Sequence, residues 1–305
     1  YKYAGALASQ GITTPEFQGR VAAIIAQGCF TPPLTCADPN VLCVGGPQSE
    51  FSTIQSAITA ANPAAGKTVL VFDGNYAGFQ VPSNRSGTLQ APFTVKAQAG
   101  NANITSTASG SDGDGIWISN ADYVVVEGFR IDNMSGHGIG CHNASSTNPM
   151  VGVTIRNNTV TNSGISNIYC SNAAGSLIEN NVATGAKAEH GIYLANGGAD
   201  NTTIRGNVLS GNFRNGLHLN GDISIGGDGL HTGIVIEGNT IFGNTDNAMD
   251  LDGMYDSTIR NNLIYGNGHH GIRVFQIDAS AGAGNLRIFN NTIVIPTPSN
   301  GGSPI

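Results

Sequence analysis

The 305-residue chain is 40% apolar, which is enough for a sizeable core. Its net charge of −7, with only 13 Lys and Arg, argues against nucleic acid or an anionic membrane as a partner, because both need clustered cations. No apolar run approaches the ~20 residues that span a bilayer, and 43 glycines among few charges indicate turns and strands rather than helices.

Residues 1–47 lie outside the repeated pattern described below, and we expect them to form an N-terminal extension. Residues 14–28 have the apolar spacing of an amphipathic helix opened by Thr-Pro. Cys29, Cys36 and Cys43 follow in a Pro-rich stretch whose equal spacing is not a zinc pattern. In an exported protein we expect one disulfide among them and one spare thiol.

The first residue, Tyr1, is either a start left by processing or an arbitrary start of the sequence, and the former is compatible with a secreted or cell-surface protein. After the extension, Phe51, Ile54, Ala57 and Ile58 have helical spacing. These four positions predict a short helix.

From residue 115 onward, a frame of aliphatic, variable and aliphatic residues returns seven times. Alternation with a period of two predicts strands with one face in a core and the other face outward. The aliphatic slots, which we expect inside, are Ile116, Ile118, Ile139, Cys141, Ile168, Cys170, Ile192, Leu194, Leu217, Leu219, Met249, Leu251, Ile272 and Val274. The variable slots, which we expect outside, are Trp117, Gly140, Tyr169, Tyr193, His218, Asp250 and Arg273.

A second frame places an Asn three residues after an aliphatic residue. That Asn recurs at intervals of at least 23 residues, at Asn158, Asn181, Asn207, Asn239, Asn262 and Asn291. The unequal intervals indicate one structural coil with loops of variable length. An Asn repeated at a turn can take the left-handed conformation or hydrogen-bond to its copy in the next coil.

A unit of about 23 residues cannot bury its own apolar face, so the copies must stack at the strand spacing of ~4.8 Å. The pattern resembles the right-handed parallel β-helix repeat proteins, the pectate-lyase-like superfold. This resemblance implies an all-β, single-stranded right-handed parallel β-helix over residues 48–305, with the short helix as a cap on the first coil, and residues 67–76 as the first strand and turn. It implies no one activity, because the superfold hosts lyases, hydrolases, epimerases and non-catalytic proteins.

Specific enzyme motifs of this superfold are missing. The aspartate motifs of polygalacturonases are absent from the places that would match, and so is the Asp-Pro-His motif of alginate epimerases. In the stacked register, Cys141 and Cys170 occupy one inward column on neighbouring coils, about 5 Å apart. They are either a disulfide or two buried thiols.

Stacking of the variable slots predicts a continuous outer face that changes from aromatic to charged along its length. Aromatic rings suit the flat faces of sugars. We therefore expect the following residues to bind substrate: Trp117, Tyr169, Tyr193, His190, Asn220, His231 and His270. The charged residues His218, Asp250, Asp252 and Arg273 are the candidate catalytic set.

Two reactions fit these four residues. In β-elimination on a uronic acid polymer, Arg273 or a calcium ion held by Asp250 and Asp252 would neutralise the substrate carboxylate while a His or Tyr removes a proton. In hydrolysis, Asp250 and Asp252 would be the acid and the base. The long loop 221–233, which contains His231, lies beside this set in sequence.

The sequence therefore predicts a secreted protein that acts on a polysaccharide, with a lyase favoured and no cofactor required except a candidate Ca²⁺. The alternative is a non-enzymatic surface or filament protein. In that case the N-terminal extension and the last coil, which has no helical cap in sequence, would make head-to-tail contacts between copies.

Overall fold

The computed structural model describes residues 34–62, 66–294 and 303–305. They form an all-β parallel solenoid, which confirms the predicted fold class. Among these residues there is one α-helix, Ile54–Ala60, and two 3-10 turns, Ser83–Arg85 and Ile223–Ile225. The predicted helix at 14–28 and Cys29 lie outside the described residues.

Each coil contributes strands to three long parallel sheets. Sheet I contains Phe79–Pro82, Ile116–Ser119, Ile139–His142, Ile168–Ser171, Ile192–Ala195, Leu217–Asn220, Met249–Asp252 and Ile272–Phe275. Sheet II contains Val41–Val44, Thr68–Val71, Phe93–Ala97, Val124–Glu127, Thr154–Arg156, Leu177–Glu179, Thr203–Arg205, Val235–Glu237, Thr258–Arg260 and Arg287–Phe289. Sheet III contains Gly74–Tyr76, Ala102–Ile104, Arg130–Asp132, Thr159–Thr161, Val182–Thr184, Val208–Ser210, Thr240–Phe242, Leu263–Tyr265 and Thr292–Val294.

Two shorter parallel pairs lie in the loops between the long sheets. They are Met150–Val151 with Ala173–Ala174, and His231–Thr232 with Met254–Tyr255. Each pair joins neighbouring coils, so even the variable loops follow the stacked arrangement.

The core is a column of aliphatic side chains between the sheets. The inward slots of sheet I pair with their copies in the predicted register, for example Ile168 with Ile192 and Leu217 with Met249. Nearly all of these side chains are fully buried. Burial of each leucine or isoleucine contributes about 1.5–3 kcal/mol, which makes this column the main source of stability.

An asparagine ladder runs inside the turn that follows sheet II. Asn181 donates from Nδ2 to Asn207 Oδ1 at 3.0 Å, and Asn207 donates to Asn239 Oδ1 at 3.0 Å. The ladder prediction is confirmed, whereas the left-handed conformation falls on the residue before each ladder Asn, as at Asn180 and Gly206. The ladder side chain must point inward to reach its copies, so its neighbour makes the turn.

The solenoid begins earlier than residue 48. Strand Val41–Val44 pairs in parallel with Thr68–Val71, so the first sheet II strand lies inside the segment that the sequence assigns to the extension. The Cys36–Cys43 disulfide ties the preceding loop to this strand. Helix Ile54–Ala60 starts at the N-cap Thr53 and buries Ile54 and Ile58.

Two further predictions concern sulfur and the far end. Cys141 and Cys170 are register partners and are buried free thiols, so of the disulfide and the two thiols predicted as alternatives, the thiols are observed.

At the far end of sheet I, the amides of Gly271 and Ile272 donate to the carbonyls of Ser303 and Pro304. Among the described residues, no helix is long and apolar enough to cross a membrane.

Candidate functional site

The outer face of sheet I carries the variable slots in one continuous column. Adjacent strands pair Gly140 with Tyr169, Tyr193 with His218, and Asp250 with Arg273. Neighbouring members are therefore one strand spacing apart, about 4.8 Å. Residues that are dozens of positions apart in sequence become neighbours, as predicted.

His218, Asp250 and Arg273 make direct contacts on three successive strands. The Nδ1 atom of His218 lies 2.9 Å from the backbone carbonyl oxygen of Asp250 and 3.5 Å from its Oδ2. A carbonyl oxygen can only accept, so Nδ1 carries the hydrogen and a neutral His218 has its lone pair on Nε2. Arg273 Nη1 donates to Asp250 Oδ1 at 3.2 Å, and Asn247 Nδ2 donates to the same oxygen at 3.0 Å.

Burial controls the protonation of these groups. It lowers the pKa of His218 below the usual value, which leaves the imidazole neutral near pH 7. It raises the pKa of Asp250, although the nearby Arg273 opposes this shift. It also raises the pKa of the Tyr193 hydroxyl, which therefore stays protonated. The cluster thus combines a neutral imidazole, a guanidinium and a protonated phenol.

Aromatic and imidazole rings pack beside this cluster. The ring of His218 lies 4.9 Å from that of Tyr193 and 4.5 Å from that of His190, measured between centroids. His190 is buried, its Nδ1 accepts the amide N–H of Asn215 at 3.3 Å, and burial lowers its pKa to about 2. His190 therefore supports the neighbouring rings and fastens one coil to the next.

Asp252 is placed differently from the sequence prediction. Its side chain is fully buried, with Oδ1 accepting the amide of Ile277 at 3.0 Å and Oδ2 accepting the amides of Asp278 at 2.8 Å and Ala279 at 3.3 Å. The segment after the last sheet I strand folds over this carboxylate. Asp252 is therefore not available as a catalytic acid or base.

The contacts of Asp250 and Asp252 also decide whether these two side chains could bind a calcium ion. The Asp252 oxygens are engaged by three amides, and Asp250 shares one oxygen with Arg273, whose positive charge would oppose a cation. Within the described ranges, no group of three or more His, Cys, Asp or Glu side chains is arranged to hold a metal ion. The pair of Asp250 and Asp252 therefore does not fit a calcium ion.

Three other predicted residues lie around the cluster. His231 is fully buried in the long loop, where burial lowers its pKa to about 4, so its side chain is not exposed on the outer face. Asn220 lies half-buried as the register partner of Asp252. His270 lies at the turn, where its Nδ1 is 3.2 Å from the amide nitrogen of Ser303.

The aromatic end of the column contains a pair that the sequence reasoning did not assign. Asp114 Oδ2 lies 2.6 Å from His142 Nε2, beside the rings of Tyr169 and Trp117. The two residues flank the frame on different coils, so no local motif joins them. The one sequence feature that could have indicated this pair is Gly140, a glycine in a column of larger side chains.

The comparisons with known proteins agree with this architecture. The family model described as "Right handed beta helix region" matches residues 70–227 and 230–302. A sequence search of curated proteins gave no significant match.

Several solved structures are similar to this chain. Pectate lyase Pel9A is 17% identical with a TM-score of 0.59, over 86% of this chain and 72% of that one. The polygalacturonase from Erwinia carotovora ssp. carotovora is 15% identical with a TM-score of 0.58, over 89% and 85%. The A-module of a mannuronan C-5 epimerase from Azotobacter vinelandii is 20% identical with a TM-score of 0.54, over 80% and 73%.

These three structures are β-helix enzymes that act on polysaccharides. At such low identity the likeness establishes the fold and not the reaction, because one fold hosts many chemistries.

Proposed function

The chain belongs to the right-handed β-helix family, and on that premise we propose that its sheet I face binds a polysaccharide and cleaves it by β-elimination at a uronic acid residue. The observation that carries the proposal is His218, held by its Nδ1 against the Asp250 carbonyl at 2.9 Å beside the Arg273 guanidinium. A long open face with aromatic rings beside charged groups suits an extended sugar chain.

His218 is the proposed base. Its neutral ring carries the lone pair on Nε2, and the hydrogen bond from Nδ1 fixes the ring orientation. The Nε2 atom takes the proton from C5 of the uronic acid. The electrons of that C–H bond form the C4–C5 double bond, and the C4–O glycosidic bond breaks.

Arg273 is the proposed partner of the substrate carboxylate. Its side chain is 40% exposed, and one of its nitrogens is committed to Asp250. A guanidinium pairs well with a carboxylate, and neutralising that charge makes the C5 proton easier to remove.

Tyr193 is the proposed proton donor to the leaving oxygen. Its ring lies 4.9 Å from the His218 ring, and burial keeps its hydroxyl protonated by raising the pKa. With the C5 proton on His218 and a proton given to the leaving group, the reaction is balanced without water.

Elimination is supported over hydrolysis by the position of Asp252. A hydrolase of this kind needs two accessible carboxyl groups, and the second one here is buried under three amides. The head-to-tail filament stays an untested alternative. We also propose that the protein is exported, which the Cys36–Cys43 disulfide supports.

The test is a panel of uronic acid polymers incubated with the wild type, with His218→Ala, and with Arg273→Ala. The product of elimination has a double bond conjugated to a carboxylate, which absorbs in the ultraviolet, whereas a hydrolase gives only new reducing ends. We expect ultraviolet-absorbing product from the wild type and a loss of about 100-fold or more in each variant. Full activity in His218→Ala would refute the assignment of the base.

The matched control is Arg260→Ala. Arg260 forms a comparable exposed ion pair, with Glu237, but on sheet II. It should leave the rate of elimination unchanged.

A further inference from the structure

We propose that Asp114 and His142, with the rings beside them, form a subsite for an uncharged sugar. The inference rests on the proposed function and narrows its substrate class. The substrate would be a mixed polysaccharide, with a uronic acid residue between His218 and Arg273 and an uncharged residue about three to five sugars away.

The pair is built into the fold. Asp114 is 1% exposed, its Oδ1 accepts the amide N–H of His137 at 2.9 Å, and its Oδ2 holds His142 Nε2 at 2.6 Å. The His142 side chain is 33% exposed, and within the described residues its Nδ1 has no hydrogen bond. In the neutral tautomer that donates from Nε2 to the carboxylate, Nδ1 is available to accept from a sugar hydroxyl.

Gly140 provides the space for this pair. A Cβ atom at position 140 would lie 2.1 Å from Asp114 Oδ2 and 2.4 Å from His142 Nε2, which is far inside van der Waals contact. The imidazole therefore lies over the empty slot, with its centroid 5.1 Å from the Tyr169 ring and 6.4 Å from the Trp117 ring. One face of the Tyr169 ring is stacked on the His137 ring at 4.4 Å between centroids, so the Trp117 ring is the face proposed to stack on a sugar, and the imidazole gives the sugar a hydrogen-bond partner.

The charges at this end favour an uncharged sugar. The carboxylates that act on the Tyr169 hydroxyl are Glu189 and Asp114, and no Lys or Arg in the described part of the chain pairs with either of them. A uronic acid carboxylate on this rung would meet these carboxylates with no Lys or Arg of the described residues paired to them, and the Asp114 charge is shared only with His142, which costs binding energy. At the other end of the face, Arg273 supplies that cation.

The spacing connects the two ends. From the strand of His142 there are three steps along sheet I to the strand of His218 and five to that of Arg273, which is about 14 Å and about 24 Å. A sugar residue in an extended chain is about as long as one step. A single polysaccharide chain bound along the face would therefore reach both ends at once.

The experiment measures binding rather than turnover, so that it does not depend on the reaction. Dissociation constants are measured for a panel of size-matched oligosaccharides: all-uronate chains of galacturonate or mannuronate, mixed chains such as alternating galacturonate and rhamnose, and fully uncharged chains. The proteins are the wild type, His142→Ala, Gly140→Ala and Arg273→Ala. His269→Ala, which removes the other partly exposed Asp–His pair at a turn, is the matched control.

We expect a mixed chain to bind best, and His142→Ala and Gly140→Ala each to weaken its binding about tenfold. All-uronate chains should be affected much less, and His269→Ala should change neither. Gly140→Ala retains both partners and displaces them with one methyl group, so a folded Gly140→Ala protein tests the subsite even if another variant is unstable.

The other outcomes separate the two proposals. If all-uronate chains bind best and His142→Ala leaves them unchanged, the subsite is overturned and the proposed function stands. If only uncharged chains bind and Arg273→Ala has no effect, the uronate proposal is overturned and the subsite stands. Binding to none of the panel overturns both.

Discussion

Replacing Asp252 by Asn distinguishes a structural carboxylate from a catalytic one. The change keeps the size of the side chain but replaces one acceptor oxygen with an NH₂ group. In the wild type one oxygen accepts from Ile277, and the other accepts from Asp278 and Ala279. If the amide oxygen takes the place of the oxygen that accepts two amides, the NH₂ group faces the Ile277 N–H, and two donors meet in a fully buried site.

The expected cost follows from that geometry. One charge-assisted hydrogen bond is lost and the others become weaker, which amounts to about 2–3 kcal/mol. Asp252→Ala leaves three amides without this acceptor and should cost about 3–5 kcal/mol. The assays are thermal unfolding and hydrogen exchange at the amides of residues 277–279, whose protection should fall first.

In the Asp252 variants the loop 221–233 should also lose protection from hydrogen exchange, because the Ile223 amide in this loop donates to the Asp278 carbonyl. Elimination activity per folded molecule should fall much less than in His218→Ala. If Asp252→Asn is as stable as the wild type and its amides remain protected, the structural role of this carboxylate is wrong. If it is stable but inactive, the catalytic role predicted from sequence is restored.

Three further predictions concern the ladder and the histidines. Asn207 lies in the middle of the asparagine ladder, and Asn207→Leu leaves hydrogen-bond partners unsatisfied on both neighbouring coils. In a urea titration this variant should lower the free energy of unfolding by about 3–5 kcal/mol. The control Thr203→Ala, on the outer face, should alter the free energy of unfolding by less than about 0.5 kcal/mol. Burial lowers the pKa of His137 and of His231 to about 4, below their usual 6.5, so their stabilising effect is complete above pH 6.5 and is lost as the pH falls toward 4. Each of these two histidines should contribute about 3 kcal/mol to the loss of stability at acid pH. In His231→Leu the free energy of unfolding should therefore fall less steeply between pH 6.5 and 4. An unchanged pH dependence in this variant would contradict a neutral buried His231. The rate of elimination should fall at acid pH with a midpoint below 6.5, because the pKa of the proposed base His218 is lowered; a midpoint above 6.5 in the pH–rate profile would contradict this assignment.

The parts of the fold that sequence could predict are those that depend on periodicity. Alternation with a period of two separates inward from outward residues, and stacking then places Tyr193, His218 and Asp250 side by side. Strand Val41–Val44 was not predicted, because it lies in a Cys- and Pro-rich stretch without the repeated frame. Its pairing with Thr68–Val71 depends on the path of the intervening helix, which no periodic pattern encodes.

The parts of the site that sequence could not predict depend on loops. Alternation correctly puts Asp252 in an outward slot, but the loop after Phe275 returns and covers it. His231 lies in the longest loop, whose direction into the interior has no repeat to reveal it. The Asp114–His142 pair could be predicted only by combining the stacked register of the strands with the space left by Gly140. Neither feature alone indicates the pair.

The choice between elimination and hydrolysis depends on how many carboxyl groups remain accessible. Two aspartates in alternate positions of one strand, Asp250 and Asp252, suit an acid and a base equally well in sequence. The structure removes Asp252 and leaves Asp250 with Arg273 on one oxygen and the His218 ring nearby. Hydrolysis would need the same carboxyl to act as acid and base at one bond, whereas elimination needs a single neutral base and a cation for the substrate carboxylate. Because the carbonyl of Asp250 fixes the His218 tautomer while its carboxylate positions Arg273, one residue arranges both requirements, and the reaction that uses both is the one we propose.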